Sequence, residues 1–466
     1  MRFKKYLAAS LLAAALLTTG CKDDNDDTNP TPNPDPTEQL VELQGNLSTQ
    51  TLDASKKYLL KGQVFVRAGQ TVTIPAGTVI FGEKRSRATL VVDKGGKLEV
   101  LGTKDKPVVM TSAQAVGERD RGDWGGLVIL GNARTNQPDP VIEGIEPPVV
   151  FGGNNDTDNS GTYQYLRVEY AGIELTPNNE SNSITLGGVG SGTTFENVQV
   201  SFGGDDGFEW FGGTVSAKNI ISLSTWDDDF DCDYGWSGNV QFGLVVRNPF
   251  FADQSQSNAF ECDNGPNDND VQPYTTGTFS NITVLGPRNN TGGSINGNNG
   301  HSMDLRRRTS VSIFNSFFSG FPVGLRFNTA SVQANYEAGN GVLANNVMVT
   351  PNNKFAAGGG ADVAVVEATW LASNSVIDGT IGDDTYNALG INPTLFFAKH
   401  SAASYPSNPN FTLTSGELAS GASFENAKFS EANRQGFFQT VPFKGAFGAE
   451  DWTDGWAEFN PLNKAY

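Results

Sequence analysis

Histidine, cysteine and methionine are scarce: two, three and four residues respectively in a chain of 466. With only His301 and His400 present, neither a multi-histidine zinc site nor a histidine-based triad can be assembled. Basic residues are also short, 32 Lys and Arg against 51 Asp and Glu, for a formal net charge of −19. Such a field opposes nucleic acid and anionic lipid and favours cations or neutral and basic ligands. Past the N-terminus no run approaches the ~18 consecutive apolar residues of a membrane-crossing helix, which excludes a helical channel or transporter body. What is plentiful is glycine, at 54 residues, along with Asn and Thr. That composition predicts β-structure rich in turns.

The first twenty residues read as a signal peptide, with Arg2, Lys4 and Lys5 ahead of the apolar run LAASLLAAALL. The closing LTTGC resembles a bacterial lipobox, which implies that Cys21 becomes the lipidated first residue of the mature protein and anchors it to a membrane. Residues 21–40 then form an acidic, proline-rich tether that cannot bury a core. Lys22 followed by aspartates resembles the export signal of outer-membrane surface lipoproteins in Bacteroidota.

From Lys61 onward, short Val/Ile runs alternate with Gly, Pro-Ala-Gly and Lys-Gly-Gly turns, a spacing that suits a solenoid better than hairpins. An Asn near the start of a β-run recurs at 197, 219, 239, 281, 315, 346 and 374. The shortest gaps define a coil of 20 to 22 residues. Asn suits a solenoid corner because it tolerates the left-handed backbone and can hydrogen-bond along the stack. A second register follows through Glu209, Asp231, Glu261, Asp304 and Arg326. Alternation along each strand then turns Phe208, Trp210, Phe230, Cys232, Phe260, Cys262, Met303 and Leu305 inward. The expected fold is all-β, a right-handed parallel β-helix of the pectate-lyase type over residues 41–380, with inserted loops. Residues 381–466 are expected to supply last coils and a cap, with Trp452 and Trp456 closing the open end of the core.

Residues 201 to 270 hold thirteen acidic side chains and two basic ones. In-register strands lie ~4.8 Å apart, so Glu209, Asp231 and Glu261 should form one outward column, with Asp233 and Asp263 a second. A hard cation, Ca²⁺ above all, would relieve such columns, and the loop CDNGPNDND has the composition of a calcium loop without EF-hand spacing. The alternative is a solvated acidic face, with Arg306 pairing at the lower end of the second column. Asp227 to Asp229 are expected to make the turn before their strand. Trp226, Tyr234 and Trp236 flank the acids, either to hold sugar rings or to pack under the turns. Cys232 and Cys262 occupy equivalent positions in adjacent coils and are expected to form a disulfide or, failing that, two stacked buried thiols.

Longer phrases carry a resemblance: DWGGLVILGNA, NSGTYQYLRVEYAG, ITLGGVGSGTTFENVQV, DDGFEWFGGTVSAKN, DDDFDCDYGW and GAFGAEDWTDGW. They resemble a Bacteroidota-type family of β-helical surface lipoproteins, sometimes labelled multidrug transporters. The resemblance implies a fold and an outer-membrane, cell-surface address, and no chemistry. Polygalacturonases use this fold with an Asp pair and a Gly-His-Gly, which Gly204-Asp205-Asp206 and Gly300-His301-Ser302 partly resemble. A calcium-dependent polysaccharide lyase would instead need a base, for which Arg306, Arg307 and Arg308 are the nearby candidates. For an enzyme the candidate residues are Asp205, Asp206, Asp231, Glu261, His301 and Arg306. The leading expectation is a monomeric, non-enzymatic module that binds a glycan, a nutrient or a partner receptor. A carbohydrate-active enzyme is the alternative, and it should show a loop-bordered groove holding paired carboxylates.

Overall fold

A short strand with apolar residues at every second position has one face to bury, and stacking identical faces coil upon coil buries them all. In the computed structural model, which describes residues 40–176, 179–349, 353–377 and 381–466, this produces one 26-stranded sheet wound as a parallel β-helix. The expected signal peptide, the lipidation expected at Cys21 and the expected tether up to residue 39 lie outside the described residues. Among the described residues the one antiparallel strand pair in the ladders is the small hairpin of Glu174–Thr176 with Asn179–Glu180. No helix among the described residues is long and apolar enough to cross a membrane.

Each central coil contributes a long bent strand and a shorter straight one. Thr194–Ser201, Ala217–Leu223, Asn239–Val246 and Thr278–Leu285 stack as the bent set. Phe208–Gly213, Phe230–Asp233, Phe260–Cys262, His301–Leu305 and Val323–Phe327 stack as the straight set. The bend falls on residues of positive φ: Tyr165, Asn197, Asn219, Phe242, Asn281, Asn315 and Asn345. Asn is favoured there because its short polar side chain tolerates the left-handed region. Three Asn positions expected in this column are elsewhere. Asn239 begins its strand three residues before the bend, which Phe242 occupies, and Asn346 follows the bend at Asn345. Asn346 and Asn374 form their own ladder, with Asn374 Oδ1 accepting both the backbone N–H and Nδ2 of Asn346 at 2.9 Å.

The straight set keeps the expected register, Glu209 to Asp231 to Glu261 to Asp304 to Arg326. Its inward residues, from Phe208 and Trp210 to Met303 and Leu305, are all at most 1% exposed and share one core. Cys232 lies directly on Cys262 in that core, and both are free thiols. In this structure the pair stands as stacked thiols and not as the expected disulfide.

The C-terminal region departs from expectation. The core is closed by two inserted helices, Ala330–Glu337 and Val363–Leu371, whose Val332, Tyr336, Val366 and Trp370 enter the main core. Residues 381–466 contain no strand and lie along the flank of the bent set. There Trp456, Phe459, Phe447 and Tyr386 build a second core with Ile221, Leu223, Leu244, Val246 and Leu285. Outward polar side chains grip the segment's backbone: Gln199 donates to Glu458 O (2.7 Å), Asn239 to Asn433 O (2.9 Å), Gln241 to Gln439 O (2.8 Å), Asn281 to Phe443 O (2.9 Å) and Asn315 to Ser423 O (3.0 Å). Trp452 and Trp456 therefore cover a side of the helix and not its end, because the outer face of the bent set is itself apolar.

Candidate functional site

The straight strands and the turns leading into them carry a motif that only stacking makes visible. Successive coils read Asp206-x-x-Glu209, Asp228-x-x-Asp231, Asn258-x-x-Glu261 and His301-x-x-Asp304. The first member of each pair ties coils together through its side chain. Asp206 Oδ1 accepts the Asp228 N–H at 2.9 Å, Asp228 Oδ1 accepts the Asn258 N–H, and Asn258 Oδ1 accepts the His301 N–H at 2.9 Å. The second member projects from the strand beside it. Asn182, one coil earlier, donates Nδ2 to Glu209 Oε2 and to Thr185 Oγ1.

Two acid columns side by side create three carboxylate triads, Asp205/Asp206/Asp227, Asp206/Glu209/Asp231 and Asp228/Asp231/Glu261, with oxygens within 4.8 Å of one another. At that spacing a pair of unit charges repels by about 3 kcal/mol at an effective dielectric of 20. Inserted loops cover much of the column, so it is not the fully solvated face that would make repulsion cheap. Burial, followed by the neighbouring carboxylates, pushes Asp205 up to about 8 and lifts Asp206 and Asp231 well above the usual range. Burial likewise lifts Glu209 and Asp228, and it pushes Asp227 up to about 7. Asp227 to Asp229 lie in the bend that leads into Phe230–Asp233, and Asp227 and Asp228 also belong to triads. Asp229 points elsewhere, paired with fully buried Arg247 at 3.4 Å.

The lower rungs are neutralised from within the protein. Arg306 pairs with Glu261 and reaches Asp263 at 3.3 Å, Arg307 reaches Asp263 at 3.2 Å, and Arg326 holds Asp304. Asp233 and Asp263, expected in a metal set, belong to no triad among the described residues. Asp233 Oδ1 instead accepts the Tyr234 N–H at 2.7 Å. The CDNGPNDND loop spends its polar groups locally: Asn264 Oδ1 accepts the Thr275 N–H at 2.7 Å, and Asp268 and Asp270 lie 3.9 and 3.8 Å from Arg308.

Asp205 of the first triad and Glu209 of the second line a cleft of about 300 Å³. One wall is the loop at Val141, Ile142 and Glu143, the other is Glu180 to Asn182, and Thr185, Asp205, Glu209, Phe211 and Tyr234 form the floor. Phe211 and Tyr234 lie 4.9 Å apart and give the floor an apolar patch. Of the aromatics flanking the acids, Tyr234 alone lines this cleft. Trp236 is fully buried on Trp210, and the Arg121 guanidinium covers Trp226 at 3.3 Å.

His301 does not meet the Asp205–Asp206 pair. It lies three rungs below Asp206 in the same ladder, ~14 Å away at the strand spacing, because each intervening coil adds a rung. Its Nδ1 is 2.8 Å from Asn258 Oδ1, and burial pushes its pKa down to about 4, so it is a neutral ring donating from Nδ1. Arg306 is likewise committed to Glu261 and Asp263. The cleft lining contains no Lys, Arg or His. Sequence spacing had pointed to Glu209, Asp231 and Glu261. It missed Asp206 and Asp228 as their partners, for which the Asp-x-x-acid repeat was the available signal.

Stacked coils, inserted loops over one face and acid clusters beneath a cleft define a β-helix of the kind that serves both binding modules and carbohydrate-active enzymes. Residues 45–384 match the model of the pectate-lyase-like β-helix domain, and the chain belongs to that family. No curated protein and no solved structure matches the chain.

Proposed function

We propose that the protein is a lipid-anchored outer-membrane module, exposed at the cell surface, that binds a glycan in the cleft with the help of a hard divalent cation, Ca²⁺ by its ligand chemistry. The observation that carries this reading is the set of carboxylate triads beside the cleft whose floor also presents Phe211 and Tyr234. Ca²⁺ takes six to eight oxygens at ~2.3–2.6 Å, and a triad supplies the charged part of such a shell while water or sugar hydroxyls complete it. The aromatic pair offers a face for a sugar ring. The anchor rests on the signal-like first twenty residues, Cys21 and the acidic tether.

A carbohydrate-active enzyme is the second reading, favoured by the loop-bordered cleft and by Asp205, which at about 8 keeps its proton near neutral pH and could donate it. Against a lyase stands the missing Lys or Arg base in the lining. A glycan array probed with residues 40–466 in Ca²⁺ and in EDTA tests both readings. Binding that weakens at least tenfold in EDTA and in Tyr234→Ala supports the module. Equal binding in EDTA refutes the cation's part, and release of shortened product establishes the enzyme.

A further inference from the structure

Resting on the cation reading above, we infer that the acid ladder holds two divalent cations on successive rungs, that Asp231 bridges them, and that Arg306 ends the row by standing in for a third. The assignment comes from accounting for each carboxylate oxygen. Asp206 and Asp228 each commit Oδ1 to a backbone N–H of the next coil and keep one oxygen for an ion. Glu209 is held by Asn182 and Glu261 by Asn258 and Arg306. Asp231 stands apart: Oδ1 is shut off from solvent with no donor, and no described group donates to its other oxygen.

A half-buried carboxylate with one oxygen shut off from solvent and both unused is costly unless something positive meets it. Asp231 is also the residue shared by the Asp206/Glu209/Asp231 and Asp228/Asp231/Glu261 triads. These triads repeat at the ~4.8 Å strand spacing, a separation that one carboxylate can span with an oxygen on each ion. Asp206 has a single free oxygen, so the Asp205/Asp206/Asp227 triad competes with the first ion instead of adding another. Asn182 points to a ligand independently. It is 6% exposed, its Nδ2 bonds Glu209, and its Oδ1 has no partner, which leaves a neutral oxygen at the first rung. Charge agrees as well: two divalent ions and the Arg306 guanidinium balance the five carboxylates of the two triads.

The test is calcium titration of the full chain in detergent, by calorimetry with native mass spectrometry for stoichiometry. Two ions are expected in the wild type, one in Glu209→Gln and one in Glu261→Gln. Asp231→Asn should hold at most one, at least tenfold weaker. Arg306→Gln should tighten the second ion by about tenfold, a gain that misfolding cannot imitate. A wild type that binds a single ion, lost in Glu209→Gln and in Glu261→Gln alike, overturns the two-ion row while leaving the cation reading intact. Two ions that persist at full affinity in Asp231→Asn overturn the bridge. A wild type that binds none overturns the cation reading itself, and this inference with it.

Discussion

Removing divalent cations should make the protein less stable as pH rises, the reverse of ordinary acid unfolding. Asp205 illustrates the size of the effect. Burial and the nearby Asp227 push its carboxyl from 3.8 up to about 8 in the folded state. The folded pKa lies above the unfolded one, so the neutral group's contribution is complete below about pH 4 and is lost as pH rises through about 8. At ~1.4 kcal/mol per unit, the whole shift of about four units amounts to roughly 6 kcal/mol. Asp206 and Asp227 titrate with Asp205, and counting them separately would count shared protons twice. About three of those units are lost between pH 5 and pH 9, roughly 4 kcal/mol, and an unfolding entropy of ~2.1 cal/mol/K per residue gives about 1 kcal/mol/K for this chain, so Tm should fall by roughly 4 °C over that range. The assay is thermal unfolding followed by circular dichroism in EDTA, repeated with excess Ca²⁺ and with Asp205→Asn. Calcium should abolish the fall, because an ion stabilises the charged carboxylates, and Asp205→Asn should flatten it. A Tm in EDTA that stays level or rises across this range would refute the placement of these acids in a covered, mutually repelling cluster.

Other expectations follow from single contacts. Arg247→Met leaves Asp229 buried without its counter-ion and should cost about 3–5 kcal/mol, recovered in large part by adding Asp229→Asn, both read by denaturant unfolding. Trp210→Ala, at the junction of Phe208, Phe230 and Trp236, should cost about 3–5 kcal/mol in the same measurement. Cys232 and Cys262 should escape thiol reagents until the protein is denatured, and a non-reduced mass lacking two hydrogens would show instead that they are bonded. Asn281→Ala removes the side chain that holds Phe443 O and places alanine at φ 59°, so proteolytic nicking between residues 423 and 443 should increase while the coils stay intact.

Much of this architecture is legible in the sequence because a solenoid repeats its local physics. FEWF, FDCD and FECD betray both which residues enter the core and which acids stack, since a strand's alternation leaves no other option. The corner column is half legible. Asn marks it, but Phe242 can also adopt the left-handed bend when a neighbouring ring, Phe443 at 6.2 Å, covers it. The second half of each triad is harder to see. Asp206 and Asp228 look like turn residues until the next coil brings its N–H to them. The cleft wall comes from Val141 to Glu143, some sixty residues before the acids, where no periodicity links the two. The flanking segment has no repeat at all, so nothing in its pattern says which face of the helix it will cover.

That flanking segment changes what kind of object the β-helix is. A stack whose coils touch only their neighbours loses order from its ends inward, one coil at a time. Here residues 423–458 run across the coils like a splint, fastened at Gln199, Asn239, Gln241, Asn281 and Asn315. Peeling a central coil away requires detaching the splint from its neighbours too. Order in the middle of the protein is thereby made a shared property of several coils, and the carboxylate rungs they carry keep their spacing together or lose it together.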